Sequence, residues 1–174
     1  MGNELVVKTV SLVNSLVIGY GNSLRSDDGI GIKIAQIVEG WHLPRVRSLS
    51  LHQLTPELTT ELAEVDLAIF VDACQPCDSD RVKLYPLNSS TSIVFGSHFS
   101  NPEALLSLTR VLFNKCPQAW WLIVPGVNFR LGEKLSPQAQ QGIETERSLI
   151  YRKLLLKLRF LKSLLKQDGE SSHY

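Results

Sequence analysis

No apolar run in this 174-residue chain approaches the roughly 20 residues that a bilayer-spanning helix needs, so no membrane span is expected. The first residues carry an early Glu4 and no basic leader. The apolar stretch from Val10 to Ile18 is interrupted by Ser11, Asn14 and Ser15 and has no small-residue cleavage pattern. That pattern reads as the lead-in to a strand and not as a secretory signal. Cysteine is scarce and odd in number, three in all, which argues for a reducing, cytoplasmic setting. A net charge of +1 offers no electrostatic case for nucleic acid. Neither a Gly-x-Ser-x-Gly elbow nor a His-Glu-x-x-His helix occurs, so neither a serine hydrolase nor a zincin protease is expected. Internal repeats, linkers and low-complexity segments are also missing.

What remains is an ordinary globular composition, 44% apolar and 20% charged, sized for one domain with a real core. We expect a single domain over residues 1–166 and a frayed tail over 167–174. Strand and helix signals alternate along it. A first strand over about 13–20 precedes an apolar helix face made by Ile30, Ile32, Ile34, Ala35, Ile37 and Val38, stopped near Gly40. A short strand from Val46 to Leu51 leads to His52-Gln53-Leu54-Thr55-Pro56. Thr55 suits a helix cap with Pro56 in the first position and Leu58 and Leu62 facing inward. The continuous run Leu67 to Val71 reads as a central strand covered on both faces. Val82 to Pro86 contains proline and suits an edge. Asn101-Pro102 opens a helix through Phe113, Trp120 to Val124 is another buried strand, and Ser136-Pro137 starts a final helix to about Lys166. Such alternation predicts a three-layer α/β/α fold: a mostly parallel twisted sheet of about five strands flanked by helices.

The most informative stretch is residues 16–35. An apolar strand ends in the turn Gly19-Tyr20-Gly21-Asn22, and Asp27 and Asp28 then stand just before the helix that starts near Gly29. A strand, glycine turn and helix usually mark an anion site, but two carboxylates there would repel a phosphate and suit a cation. Ligands of open α/β sheets bind outside the carboxyl ends of the strands. That rule selects Asp28 after the first strand, Asp72 at the end of the third, and His98 in the loop before the Asn101 helix. Two carboxylates and one imidazole make three protein ligands, leaving a position for water or substrate as catalytic metals require. Each also has a structural alternative: a helix cap for Asp27 or Asp28, backbone amide binding for Asp72, and plain surface for His98.

Other motifs carry less. Gly19-x-Gly21 resembles the start of a dinucleotide fingerprint, but Leu24 stands where the third glycine belongs. Cys74-Gln-Pro-Cys77 is followed by Asp78, Asp80 and an edge strand, whereas a redox pair normally opens a helix that lowers its thiol pKa. With only Cys116 left over it also falls short of a four-thiolate zinc site, so it reads as a loop beside the site. The final helix pairs an apolar stripe (Leu149, Ile150, Leu154, Leu158, Leu161, Leu165) with a basic face (Arg147, Arg152, Lys153, Lys157, Arg159, Lys162, Lys166). The plain reading is a terminal helix packed on the sheet; the alternatives are a membrane surface or a partner.

Gly19-Tyr-Gly-Asn-Ser-Leu-Arg-Ser-Asp-Asp-Gly-Ile-Gly31 resembles the N-terminal signature of the hydrogenase maturation proteases. Ala68-Ile-Phe-Val-Asp72-Ala and Ser97-His98-Phe-Ser-Asn-Pro-Glu-Ala-Leu-Leu106 match further blocks of that family in order and spacing. The resemblance covers most of residues 15–135. It implies an endopeptidase that removes the C-terminal extension of a nickel-iron hydrogenase large-subunit precursor once nickel is inserted. It places the family's metal-contacting residues on Asp28, Asp72 and His98, as both metal and catalytic residues.

Two departures bear on the details. Asp28 stands where many members have Glu, one methylene longer. His52-Gln53-Leu54-Thr55 replaces an Asp-Gly-Gly-Thr-like loop, a variant resembling the branch that serves the bidirectional, NAD-linked hydrogenase of cyanobacteria. The resemblance assigns substrate recognition to these four residues; the plain alternative is that His52 is simply exposed. Carboxylate and imidazole without thiolate would hold a free ion weakly, so the implied nickel arrives already bound in the precursor, although other divalent ions could occupy the isolated site. The implied partner is the nickel-loaded precursor, and the free protein is expected to be monomeric. A non-catalytic nickel- or precursor-binding module on the same fold is the alternative function.

Overall fold

The computed structural model describes residues 13–74, 82–88 and 101–144. Its centre is a five-stranded sheet in the order β2-β1-β3-β5-β4. The strands are β1 (Ser15–Tyr20), β2 (Val46–Leu51), β3 (Leu67–Cys74), β4 (Lys83–Leu87) and β5 (Gln118–Pro125). β1 pairs in parallel with β2 and β3, and β3 in parallel with β5; only β4 runs antiparallel. Pro86 sits in β4, at the sheet edge where a missing N–H costs no ladder bond.

Strand alternation sorts the core into two layers. Val17, Ile69, Val71, Leu122 and Val124 point to one face, where Ile30, Ile34 and Val38 of helix α1 (Ile30–Glu39) pack on them. Leu16, Ile18, Tyr20, Ala68 and Phe70 point to the other. That face is covered by α2 (Leu58–Ala63) through Leu58 and Leu62, and by α3 (Pro102–Phe113) through Leu105 and Leu106. A helix begins at 137 and adds Ala139 and Ile143 to the α1 layer. Ser136 caps it: its hydroxyl accepts from the Ala139 N–H at 3.1 Å. Asn101 caps α3 in the same way, accepting from Glu103 N–H at 2.9 Å. The three-layer α/β/α expectation holds.

Two local expectations do not. Thr55 is not a side-chain cap. A backbone turn intervenes, with Leu58 N–H donating to the Thr55 carbonyl, and α2 starts only at Leu58 with no side-chain cap bond. Asp72 does not end its strand, because β3 continues to Cys74 alongside β5. On the β1 side, however, pairing stops at Val71, so Asp72 does lie at an exposed ladder end there. The basic stripe beyond residue 144, the 167–174 tail, Cys77 and His98 fall outside the described residues.

The chain leaves β1 for β2 on one side and then crosses to β3 on the other. The crevice between the carboxyl ends of β1 and β3 is therefore the topological switch point, where α/β sheets place their ligands. Backbone contact makes this crevice tight. Gly31, in the first turn of α1, lies against it so closely that an added Cβ would sit 2.5 Å from both the Tyr20 and Val71 carbonyl oxygens.

Candidate active site

β1 ends at Tyr20, and Gly21 turns the chain with φ +141°, a conformation that only glycine adopts readily. An added Cβ there would also collide with the Asp28 carbonyl. The chain then enters a 3-10 turn, Ser26–Gly29, which carries the two carboxylates into α1. They do different things. The Asp28 carboxylate is partly exposed, and its Oδ2 accepts from the Asn22 N–H at 3.0 Å. Among the described residues no hydrogen bond engages its Oδ1.

Asp27 is fully buried, at 0% exposure. Its Oδ2 accepts from Val127 N–H and Asn128 N–H at 2.9 Å each and from the Ser136 hydroxyl at 2.8 Å, and its Oδ1 from Ser136 N–H at 2.7 Å. Burial alone would raise its pKa; the hydrogen bonds from Ser136, Val127 and Asn128 outweigh burial and hold the carboxyl below its ordinary value. Neighbouring bonds stitch the same two segments: Ser26 N–H to the Gly132 carbonyl at 2.7 Å, Asp27 N–H to the Asn128 carbonyl at 2.9 Å, and Gly132 N–H to the Leu24 carbonyl at 2.9 Å. The stitched loops present Leu24, Val127 and Leu131 to solvent, 55%, 50% and 88% exposed.

Asp72 approaches from β3. Its position beyond Val71 makes it the neighbour of Tyr20, whose hydroxyl lies against it, with the Trp121 indole behind. Among the described residues neither the phenol hydroxyl nor the indole N–H makes a hydrogen bond of good geometry. Burial is the main influence on Asp72. The Tyr20 hydroxyl and the Ala73 N–H oppose it and the Asp28 charge reinforces it, leaving the carboxyl at about 6. Burial, then the Asp72 charge, pushes the Tyr20 phenol well above its ordinary range. Two carboxylates close enough to repel, one of them desolvated, form a place where a divalent cation would relieve both costs. Among the described residues no group of three His, Cys, Asp or Glu side chains is assembled to hold an ion.

Solved structures carry the same architecture. The NiFe hydrogenase maturation protease HycI from Thermococcus kodakarensis superposes with a TM-score of 0.64, at 20% identity, over 88% of this chain and 99% of its own. The E. coli hydrogenase maturating endopeptidase HybD gives 0.65, at 19% identity, over 81% and 91%. HybD from Thermococcus kodakarensis gives 0.62, at 19% identity, over 82% and 99%. The fold is that of the hydrogenase maturation proteases. No family model matches the sequence, and no curated protein does either.

On this maturation-protease fold the sequence-selected residues separate. Asp28 and Asp72 come together at the switch point. His52 and Gln53 follow the carboxyl end of β2 and are exposed, and the Gly21 N–H donates to the Leu51 carbonyl at 3.2 Å, so they flank the same edge. Leu54 does not belong with them: it is 5% exposed and packs in the core with Tyr20 and Leu58, which removes it from any solvent-facing recognition surface. Thr55 is half-buried ahead of α2. Sequence reasoning missed Tyr20 and left Asp27 as a cap. The signal for Tyr20 was a phenol at the last position of an otherwise apolar strand. Replacing it by Phe removes the hydroxyl that restrains Asp72, so the Asp72 midpoint in the free protein should move to higher pH. Carboxyl carbon-13 shifts followed through a pH titration check this; an unchanged midpoint would contradict the contact.

Proposed function

We propose that the chain is a nickel-recognising endopeptidase that removes the C-terminal extension of a nickel-iron hydrogenase large-subunit precursor. The observation that carries the reading is the meeting of Asp28 and Asp72 at the β1/β3 switch point of a maturation-protease fold. The substrate brings the nickel, already bound to the precursor. Asp28 offers its Oδ1, while Asn22 fixes the other oxygen. Asp72 offers a desolvated carboxylate steadied by Tyr20, and His98 is assigned the third contact by its sequence motif. Requiring nickel in the substrate would let empty precursor escape cleavage. One carboxylate is then available as a general base toward water, and a substrate-held cation can polarise the scissile carbonyl. His52 and Gln53, exposed at the same edge, are assigned to reading the precursor, and the variant loop fits a precursor of the bidirectional, NAD-linked class. The setting is the cytoplasm and the free protein a monomer.

The test incubates this protein with nickel-loaded and nickel-free cognate precursor and follows the precursor mass. A C-terminal peptide should be lost only from the loaded form, and Asp28→Ala or His98→Ala should slow the loss by about 100-fold or more. Failure to cut a competent loaded precursor would remove the enzyme reading. Tight stoichiometric nickel capture by the isolated protein would then favour the binding module.

A further inference from the structure

Asp27 is spent entirely inside the protein, yet it adjoins the residue that faces the site. An ionised carboxylate has about four lone-pair positions and donates nothing. Here four donors converge on it, three of them backbone N–H groups, and all come from a segment 100 to 109 residues away. The turn it anchors is not relaxed. Ser26 sits at φ +50°, a left-handed conformation that persists in a non-glycine residue only where its surroundings over-determine it. The stitches to Gly132 and Asn128, and the Ser26 hydroxyl donating to the Arg130 carbonyl at 3.2 Å, supply that constraint. Packing leaves no slack, since a Cβ on Gly126 would meet the Phe129 ring at 2.7 Å and the Asp27 Cβ at 2.9 Å.

We infer that Asp27 is a positioning residue. By binding the 127–136 segment it holds the strained 26–29 turn in the one shape that aims Asp28 at the site. The inference deepens the proposed function, because it rests on Asp28 contacting the substrate. Asp27→Asn is the informative change: it keeps the shape but turns an NH₂ group toward an N–H donor, so one bond becomes a clash of donors.

Two readouts separate positioning from mere support. The first is amide hydrogen exchange of Asn22, whose N–H is held by Asp28 and therefore reports where Asp28 points. In folded Asp27→Asn it should quicken by about 10-fold or more, while Ile18 and Phe70 stay as in the parent. The second is cleavage of loaded precursor, where kcat should fall by about 10-fold or more with KM nearly unchanged. Leu105→Val, buried under α3 on the opposite face, is the control: it lowers stability and should move neither readout. Asn22 exchange and kcat both at parental values in Asp27→Asn would overturn the inference. If the parent itself cuts nothing, the proposed function falls, and Asn22 exchange alone still decides whether Asp27 sets the position of Asp28.

Discussion

Asp72→Asn should melt at a higher temperature than the parent near neutral pH and, on the proposed function, should cut the precursor about 100-fold more slowly or worse. Burial, opposed by the Tyr20 hydroxyl and the Ala73 N–H and reinforced by Asp28, lifts the carboxyl from 3.8 to about 6. A folded-state value above the unfolded one means that the folded chain binds more protons between the two. Stability is then greatest at and below pH about 4, falls as pH rises toward about 6, and stays lower beyond. The displacement corresponds to about 3 kcal/mol. Asparagine has nothing to ionise and nearly the same shape, so it escapes that cost. For a chain of this size the gain is on the order of 5–10 °C near pH 7, shrinking to nothing near pH 4. Thermal scans of both proteins across that range check the sign and the window. Equal melting at every pH would mean that Asp72 is better solvated than its packing indicates. The activity side is simpler. On the proposed function, cleavage should fall by about 100-fold or more, so one change would improve the fold at the expense of activity, as expected where a carboxylate is desolvated for its task.

The second large effect is steric. Gly31→Ala should lose about 3 kcal/mol, even though alanine is the better helix former. Its Cβ would meet the Tyr20 and Val71 carbonyl oxygens at 2.5 Å and the Tyr20 nitrogen at 2.9 Å. These are backbone atoms of two central strands and cannot rotate aside, so α1 must lift from the sheet and carry Asp28 with it. Gly142 is the natural comparison. It also lies in a helix, but nothing approaches its Cβ position within 4 Å, so Gly142→Ala should gain about 0.5–1 kcal/mol from helix propensity. Denaturant midpoints moving in opposite directions for the two changes, at similar slope, would support the close-approach argument. A stable Gly31→Ala would show that the α1 contact with β1 and β3 yields.

The alternation of strands and helices was readable because each element announces itself locally. Leu67 to Val71 is apolar throughout, Pro86 marks an edge, and Asn101-Pro102-Glu103 spells a helix start. That Asp28 and Asp72 share the carboxyl edge of the sheet was readable for a related reason: both follow apolar strand runs, and a parallel sheet gathers its strand ends. The misreadings come from interactions that local sequence does not encode. Thr55-Pro56 has the residue types of a cap, but the chain spends one backbone turn before committing to α2. Leu54 reads as part of a recognition loop, and only tertiary packing places it under Tyr20 and Leu58. Tyr20 acquires its polar neighbour from a different strand. Asp27 looks like a helix cap because that is what an aspartate before an apolar helix usually is. Its actual partners lie about 100 residues on.

That distance has a consequence for the order in which the protein comes into being. Synthesis proceeds from the N-terminus, and early segments can collapse before later ones exist. A nascent chain that has emerged only through Cys74 already possesses β1, β2 and β3 and carries both Asp28 and Asp72. It lacks Val127, Asn128 and Ser136, and so lacks every donor that holds Asp27. Its 26–29 turn has nothing to close on. The turn that carries Asp28 therefore takes its final shape late, after β5 and the start of the following helix have left the ribosome.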